Sequence, residues 1–412
     1  MLAQSKLPPQ VLALSRLKRK VRSDMAALPN YTCVETIERW RRKGNKPTFQ
    51  HVDTVHVEVA ISGANEMYSW PGASRFETPD ISRIIGAGTV STGSFATEIQ
   101  GAIGDASVIQ WRGEEEISGR RANCWDYRIP YNLSGWTMTV YGHTGRVSAV
   151  GSFWADPESL ELLRLETNAD EIPPGMPIRA VKSVLTYAHV RVGSRDVLLP
   201  QSAELNVTSF DGEDSRNLME FSHCREFGAE SRLVSEVSTG DAPAVQPVAE
   251  LTLPEGLRLP IRLSEAIDSK RTAVGDAISA VVESSAAIKG REVVPKGAVM
   301  RGRIRRMDRS STPAEHFVVG LEFTEVEFSG HHARFFGEME SIDARAGAHP
   351  YLATSRTLGT TNLIYGGSIT HTDTEMDFAI PIPGVSVFFL DGVSFRLPEG
   401  LRMTWRTVRL AK

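Results

Sequence analysis

Five groups of residues in this 412-residue chain combine types and spacings that chemistry can use. The run HTDTEMD sets His371, Asp373, Glu375 and Asp377 two apart, so an extended segment would present them on one face. Three carboxylates and an imidazole suit a hard divalent cation. Such a stripe serves as well for the wet face of a strand, so no metal site is assigned. RGRIRRMDR aligns Arg301, Arg303 and Arg305 on one strand face, where they could meet anionic headgroups or an acidic partner. The near balance of acids around them favours a solvated face. His331 and His332 are adjacent in the chain, so on a strand they point to opposite sides and do not share a metal. His223 and Cys224 meet the same objection as a base and nucleophile. No GxSxG, HExxH or phosphate-cradling glycine loop is present. No catalytic residue and no cofactor is expected, and the protein is expected not to be an enzyme.

The fifth group is apolar. Trp125, Tyr127 and Ile129 alternate along one expected strand, and Trp136, Met138 and Val140 along the next. If the sheet curves, these six would line a hollow fit for a lipid tail and are the candidate ligand-binding residues. The plainer alternative is that this face packs on a helix near the N-terminus.

Bulk properties narrow the class. With 46 Lys and Arg against 50 Asp and Glu the chain lacks the basic excess that phosphate neutralisation needs, so no nucleic-acid partner is expected. No apolar run approaches the ~20 residues of a membrane span, so no transmembrane segment is expected. The opening MLAQSKLPPQ reads like a mature N-terminus, LAQ resembling the tail of a removed signal. A periplasmic or secreted location is expected, with the signal peptide outside this sequence. Three cysteines are too few for a disulfide scaffold and lack metal spacing. Cys33 and Cys224 lie near the two ends of the first domain and would bridge if its first and last strands met. Three buried thiols is the plainer reading, and we favour it here.

Residues 9–27 place Leu14, Leu17, Val21 and Met25 at helical spacing between Lys and Arg, which predicts an amphipathic helix. The period then changes to two. YTCVETIERWRR and HVDTVHVEVAI read as strands, followed by an irregular Gly/Ser/Thr-rich region over 71–107 with one short helix at SFATEIQGAIG. A succession of strands from 111 to about 227, joined by turns such as GSR and DGEDS, predicts an antiparallel meander. VSTGDAPAVQPVAE at 237–250 reads as a linker. The expected domains are therefore 1–236 and 251–412. The fold class is mainly β: an N-terminal helix with a curved antiparallel half-barrel, followed by a second all-β barrel domain.

One phrase recurs in the second domain: LPEGLRL at 253–259 and LPEGLRM at 397–403, with a looser copy, PKGAVMRGR, from 295. Proline followed two residues later by glycine suits a type II turn, with proline expected at the first central position and glycine at the second. The alternation after each turn predicts a strand. Pairing the first such strand with the last would close the sheet and remove its edges.

Residues 251–310, with LRLPIRLSEAIDS, VGDAISAVV and VVPKGAVMRGRI, resemble the periplasmic β-barrel domain of TrbI-like components of conjugation and type IV secretion channels. Residues 9–235, with WDYRIP and ADPESLELLRLE, resemble the lipoprotein-carrier fold of the LolA/LolB type. The second resemblance implies an acyl chain or lipoprotein segment held in the concavity. The first implies an envelope protein partner, and a structural subunit of an envelope or secretion apparatus is the alternative function.

Overall fold

The computed structural model describes residues 7–44, 46–73, 75–85, 88–140, 143–227, 251–311, 314–343, 346–350, 368–371 and 382–409. It divides into two compact units. Among the described residues the first holds the chain to Phe227, apart from 52–54, together with Ser368–His371; the second holds 52–54 and the rest. The expected linker and the run Asp373, Glu375, Asp377 lie outside the described residues, and of His371 only the backbone is described.

The first unit opens with α1 (Pro9–Ala27), whose Pro9 stands at the first helical position, where the missing N–H costs nothing. Leu17 and Val21, one turn apart, are its buried residues, and Pro29 follows its end. Then come β1 (Tyr31–Arg42), β2 (Gln50–Ser62), β3 (Asn65–Ser69), α2 (Ser82–Ile85), β4 (Val90–Ser91), α3 (Thr97–Ile103), β5 (Val108–Ile117), β6 (Arg120–Ile129), β7 (Thr137–Val140), β8 (His143–Arg146), β9 (Ser148–Ala155), β10 (Leu162–Asp170), β11 (Ile178–Val192), β12 (Arg195–Ser209) and β13 (Asp214–Glu226). Ten of these strands make one curved, partly open sheet in the order β3-β2-β1-β13-β12-β11-β10-β9-β6-β5. The first and last strands of the unit's sequence meet within it, where β1 pairs antiparallel with β13.

That pairing brings two cysteines together. Cys33 and Cys224 form a disulfide that spans 191 residues of sequence, at a point where the β1–β13 register slips. The expectation of three free thiols is therefore overturned. A bridge needs only that two side chains meet, and the meander's closure supplies this. Cys124 alone stays a buried thiol.

The inner face of the sheet is built from cross-strand rows. Trp125, Phe153, Leu165, Leu185, Ala203, Met219 and Ile37 stand opposite one another in successive strands and are all buried. Trp125 stacks on Phe153 with ring centroids 5.4 Å apart. The neighbouring row is Tyr127, Gly151, Thr167, Ser183, Leu205, Asn217 and Arg39, largely polar. On the opposite face Ala122, Cys124, Trp154 and Leu163 form a smaller apolar cluster, so β6 is buried on both sides there.

The second unit contributes β14 (Leu251–Thr252), β15 (Arg258–Leu263), β16 (Ile267–Asp268), β17 (Ala277–Val282), β18 (Ala286–Ile288), β19 (Arg291–Val294), β20 (Val299–Ser310), β21 (His316–Phe328), β22 (His331–Arg334), β23 (Gly337–Ile342) and β24 (Ala348–Pro350). After β25 (Ser368–His371), which belongs to the first unit, it adds β26 (Val385–Asp391), β27 (Arg396–Leu397) and β28 (Arg402–Thr407). Its main path runs β22-β21-β20-β17-β15-β28-β23, with β26 also on β21. The path curls on itself: the Met339 N–H in β23 donates to Ser386 Oγ in β26 at 2.7 Å. Trp405 fills the interior, edge-on to Phe323 at 5.1 Å.

The repeated phrase lies at the seam. β15 and β28 pair antiparallel, with Leu259 opposite Trp405 and Ile261 opposite Met403. Each strand's turn is latched by the far end of the other. The Thr407 hydroxyl accepts the Leu257 N–H at 2.8 Å and donates to Pro254 O at 2.6 Å, while the Gly400 N–H donates to Leu263 O at 2.9 Å. Two strands related by a local two-fold meet the same environment at each turn, which is why one phrase serves both. Gly256, Gly297 and Gly400 have φ of 80°, 89° and 78°, the left-handed region that favours glycine. One detail differs from expectation. The Leu401 N–H bonds to Pro398 O and the Ala298 N–H to Pro295 O, so proline occupies the first corner of these turns and the central pair is Glu-Gly or Lys-Gly.

Candidate functional site

The region from 71 to 107, read from sequence as irregular, supplies the centre of the candidate site. α3 packs with Glu98, Ile99, Ala102 and Ile103 buried. Glu98 is a lone acid in a short helix of otherwise apolar, small or neutral residues, and its side chain lies on the polar row of the sheet. It accepts the Ser183 hydroxyl at 3.1 Å and the Thr167 hydroxyl at 3.3 Å. Thr167 in turn accepts the Tyr127 hydroxyl at 2.7 Å. Tyr127 reaches across Gly151, where a Cβ would stand 1.9 Å from the Glu166 carbonyl oxygen and 2.9 Å from the Tyr127 ring. The glycine is thus what allows the relay from Tyr127 through Thr167 to Glu98.

Beside this relay is a hollow of about 280 Å³. Its walls include Tyr127, Ile129 and Trp136 of the candidate aromatic set, together with Leu133 and Ala149. Gly101, Gly104 and Gly135 keep it open, and Glu98 and Thr167 form its polar end. Of the other sequence candidates, Trp125 is held between Phe153 and Trp111, and Met138 and Val140 are buried on β7. None of those three lines the hollow. β7 is not the sheet neighbour of β6; it leaves the large sheet and pairs with β8 and with β25. Alternation along each strand was legible in sequence, but the departure of β7 was not, because only strand pairing decides it.

Burial dominates the electrostatics. It lifts the Glu98 carboxyl to about 7, with the Ser183 and Thr167 hydroxyls pulling the other way and the charge of Glu66 adding to the rise. Glu35 on β1, 3% exposed, is pushed up to about 8 by burial and then by Glu66. Glu66 accepts the Tyr68 hydroxyl at 2.6 Å and the N–H groups of Gly93 and Phe95 at 2.8 and 3.0 Å. The Tyr31 and Tyr187 hydroxyls are enclosed and lack a hydrogen-bond partner among the described residues. Burial raises Tyr187 far above the usual phenol range, and Glu98 is its largest charged neighbour.

Arg301 pairs with Glu327 at 2.8 Å and Arg305 with Glu322 at 2.5 Å, and Arg303 donates to Gly275 O at 3.0 Å. Two of the three arginines are thus paired with acids of their own unit, and the third is held on a backbone carbonyl. His331 and His332 are both exposed, the second beside Glu325. Cys224 is consumed by the disulfide and is no nucleophile. Among the described residues there is no group of three or more His, Cys, Asp or Glu that could hold a metal. Among them, too, no helix is long and apolar enough to cross a membrane.

No protein-family model matches the chain, and no curated protein matches it. Among solved structures, a LolA superfamily protein from Nitrosomonas europaea is similar at 10% identity and a TM-score of 0.27, over 52% of this chain and 94% of that one. A DUF1329 family protein from Desulfovibrio piger is similar at 15% identity and a TM-score of 0.28, over 54% and 95%. The Mycobacterium tuberculosis lipoprotein LppX is similar at 12% identity and a TM-score of 0.19, over 52% and 97%. Values this low establish neither a family nor a ligand.

Proposed function

We propose that this protein is an extracytoplasmic, non-enzymatic binding protein of two modules, 1–236 and 251–412. The first holds a small lipid-like ligand, an acyl chain or a lipoprotein or peptide segment, and the second makes contacts with an envelope protein. The observation that carries the reading is the hollow of about 280 Å³ beside α3, walled by Tyr127, Ile129, Leu133, Trp136 and Ala149. A concave site with apolar walls and a few convergent polar groups is the usual form of a small-molecule site. The Cys33–Cys224 disulfide supports the compartment, since such bridges persist where the surroundings are oxidising. Neither nucleic acid nor a cofactor is required.

The structural-subunit reading has one feature in its favour. β5 is an end strand of the large sheet, ten residues long, with Val108 and Trp111 exposed. Such an edge can accept a strand from another chain.

The test is a cavity-filling variant. A Cβ at Gly135 meets nothing within 4 Å, so Gly135→Leu is expected to fold while occupying the hollow. Native mass spectrometry of the purified protein should find a small amphiphile, or take one up on addition, and the variant should lose it. Uptake that is the same in both proteins would overturn the assignment of the site.

A further inference from the structure

We infer that the hollow selects a ligand whose short apolar chain ends in a nitrogen cation, with Glu98 as its counter-charge. This rests on the binding reading above and names the chemistry of that same site. The charged residues lining the hollow are both acids, Glu98 and Asp105. Asp105 belongs to the rim: its side chain is 86% exposed and pairs with Arg22 at 2.6 Å. Lys18, a second cation at that rim, donates to the Gly104 carbonyl at 3.3 Å. Glu98 is different. It is 7% exposed, receives neutral hydroxyl donors from Ser183 and Thr167, and has another carboxylate, Glu66, as its influential charged neighbour.

A buried carboxyl of this kind either keeps its proton or, once ionised, needs a counter-charge as well as hydrogen bonds, because desolvation costs several kcal/mol that neutral donors only partly return. Here the open side of the group is the hollow itself, so the missing cation can arrive with the ligand. The walls suit one. Tyr127 and Trp136 present aromatic rings, whose faces attract cations, and Ile129, Leu133 and Ala149 take the chain. An anionic ligand such as a free fatty acid would bring a second negative charge toward Glu98 and Glu66 and is disfavoured. A hollow of about 280 Å³ has room for a short chain and not a long one, and octylamine serves as the probe.

The experiment is calorimetric titration of the full chain at neutral pH with octylamine, octanol and octanoate. Octylamine is expected to bind at least about tenfold more tightly than octanol, and octanoate most weakly. In Glu98→Gln the preference of amine over alcohol should vanish while octanol binding stays. If amine and alcohol bind the wild type equally, the charge assignment fails and the binding site survives. If none of the three binds, both the site and its selectivity are overturned. Should Glu98→Gln not fold, the three-ligand comparison on the wild type decides the matter alone.

Discussion

Glu35 makes the interior of the first unit sensitive to pH, and the sign follows from the direction in which its carboxyl is moved. Its ordinary value of 4.5 rises to about 8 in the folded protein, through burial first and the charge of Glu66 second. Below pH 4.5 both folded and unfolded chains hold the proton, and the group contributes no pH dependence. Between 4.5 and 8 the unfolded chain has lost it while the folded chain keeps it, so stability falls as pH rises, by about 1.4 kcal/mol per pH unit. The whole interval corresponds to about 5 kcal/mol, and the span from pH 5.5 to 7.5 to about 3 kcal/mol. Glu98, raised to about 7, adds a loss of the same sign that levels off earlier. Asp156, Glu166 and Glu204 are shifted downward, so their effects appear only in acid and do not overlap this window. Glu35→Gln should therefore flatten the slope, and Glu35→Gln with Glu98→Gln should flatten it further, whatever either variant does to stability at pH 5.5. The assay is urea denaturation at both pH values followed by tryptophan fluorescence, which reports chiefly on the first unit because six of the seven tryptophans precede residue 228. A wild type equally stable at the two pH values, or a Glu35→Gln slope matching the wild type, would refute the reasoning.

Two further outcomes are expected. Replacing Cys33 and Cys224 with Ser releases a loop closure of 191 residues, for which chain entropy sets a ceiling of about 5 kcal/mol; non-reducing peptide mapping should find the linked peptides in the wild type, and the variant should unfold at markedly lower denaturant. Thr407→Val keeps the shape but strips the hydroxyl that joins the Leu257 N–H to Pro254 O, and should lower the stability of the second unit by about 2 kcal/mol, read as a shifted calorimetric transition.

Sequence alone determined the local elements, because their signals repeat within a few residues. The 3.6-residue spacing of Leu14, Leu17 and Val21 announces α1, and the run YTCVETIERWRR coincides with β1. The twin LPEGLR phrase pointed to the pairing of β15 with β28, since identical turns at the two ends of a module suit strands that meet antiparallel. Tertiary structure decided what depends on distant residues meeting. Whether Cys33 would find Cys224 rested on the closure of β1 on β13, and no local pattern encodes that. The hollow gathers α3, the turn at Leu133–Trp136, two positions on β6 and one each on β9 and β10, so half of the aromatic set expected there packs elsewhere. Glu98 left one trace, a single acid in a short helix otherwise free of charge, but its role came from burial against Thr167 and Ser183. Periodicity says which face of an element is apolar; only packing says what that face covers, and which polar group is shut in beneath it.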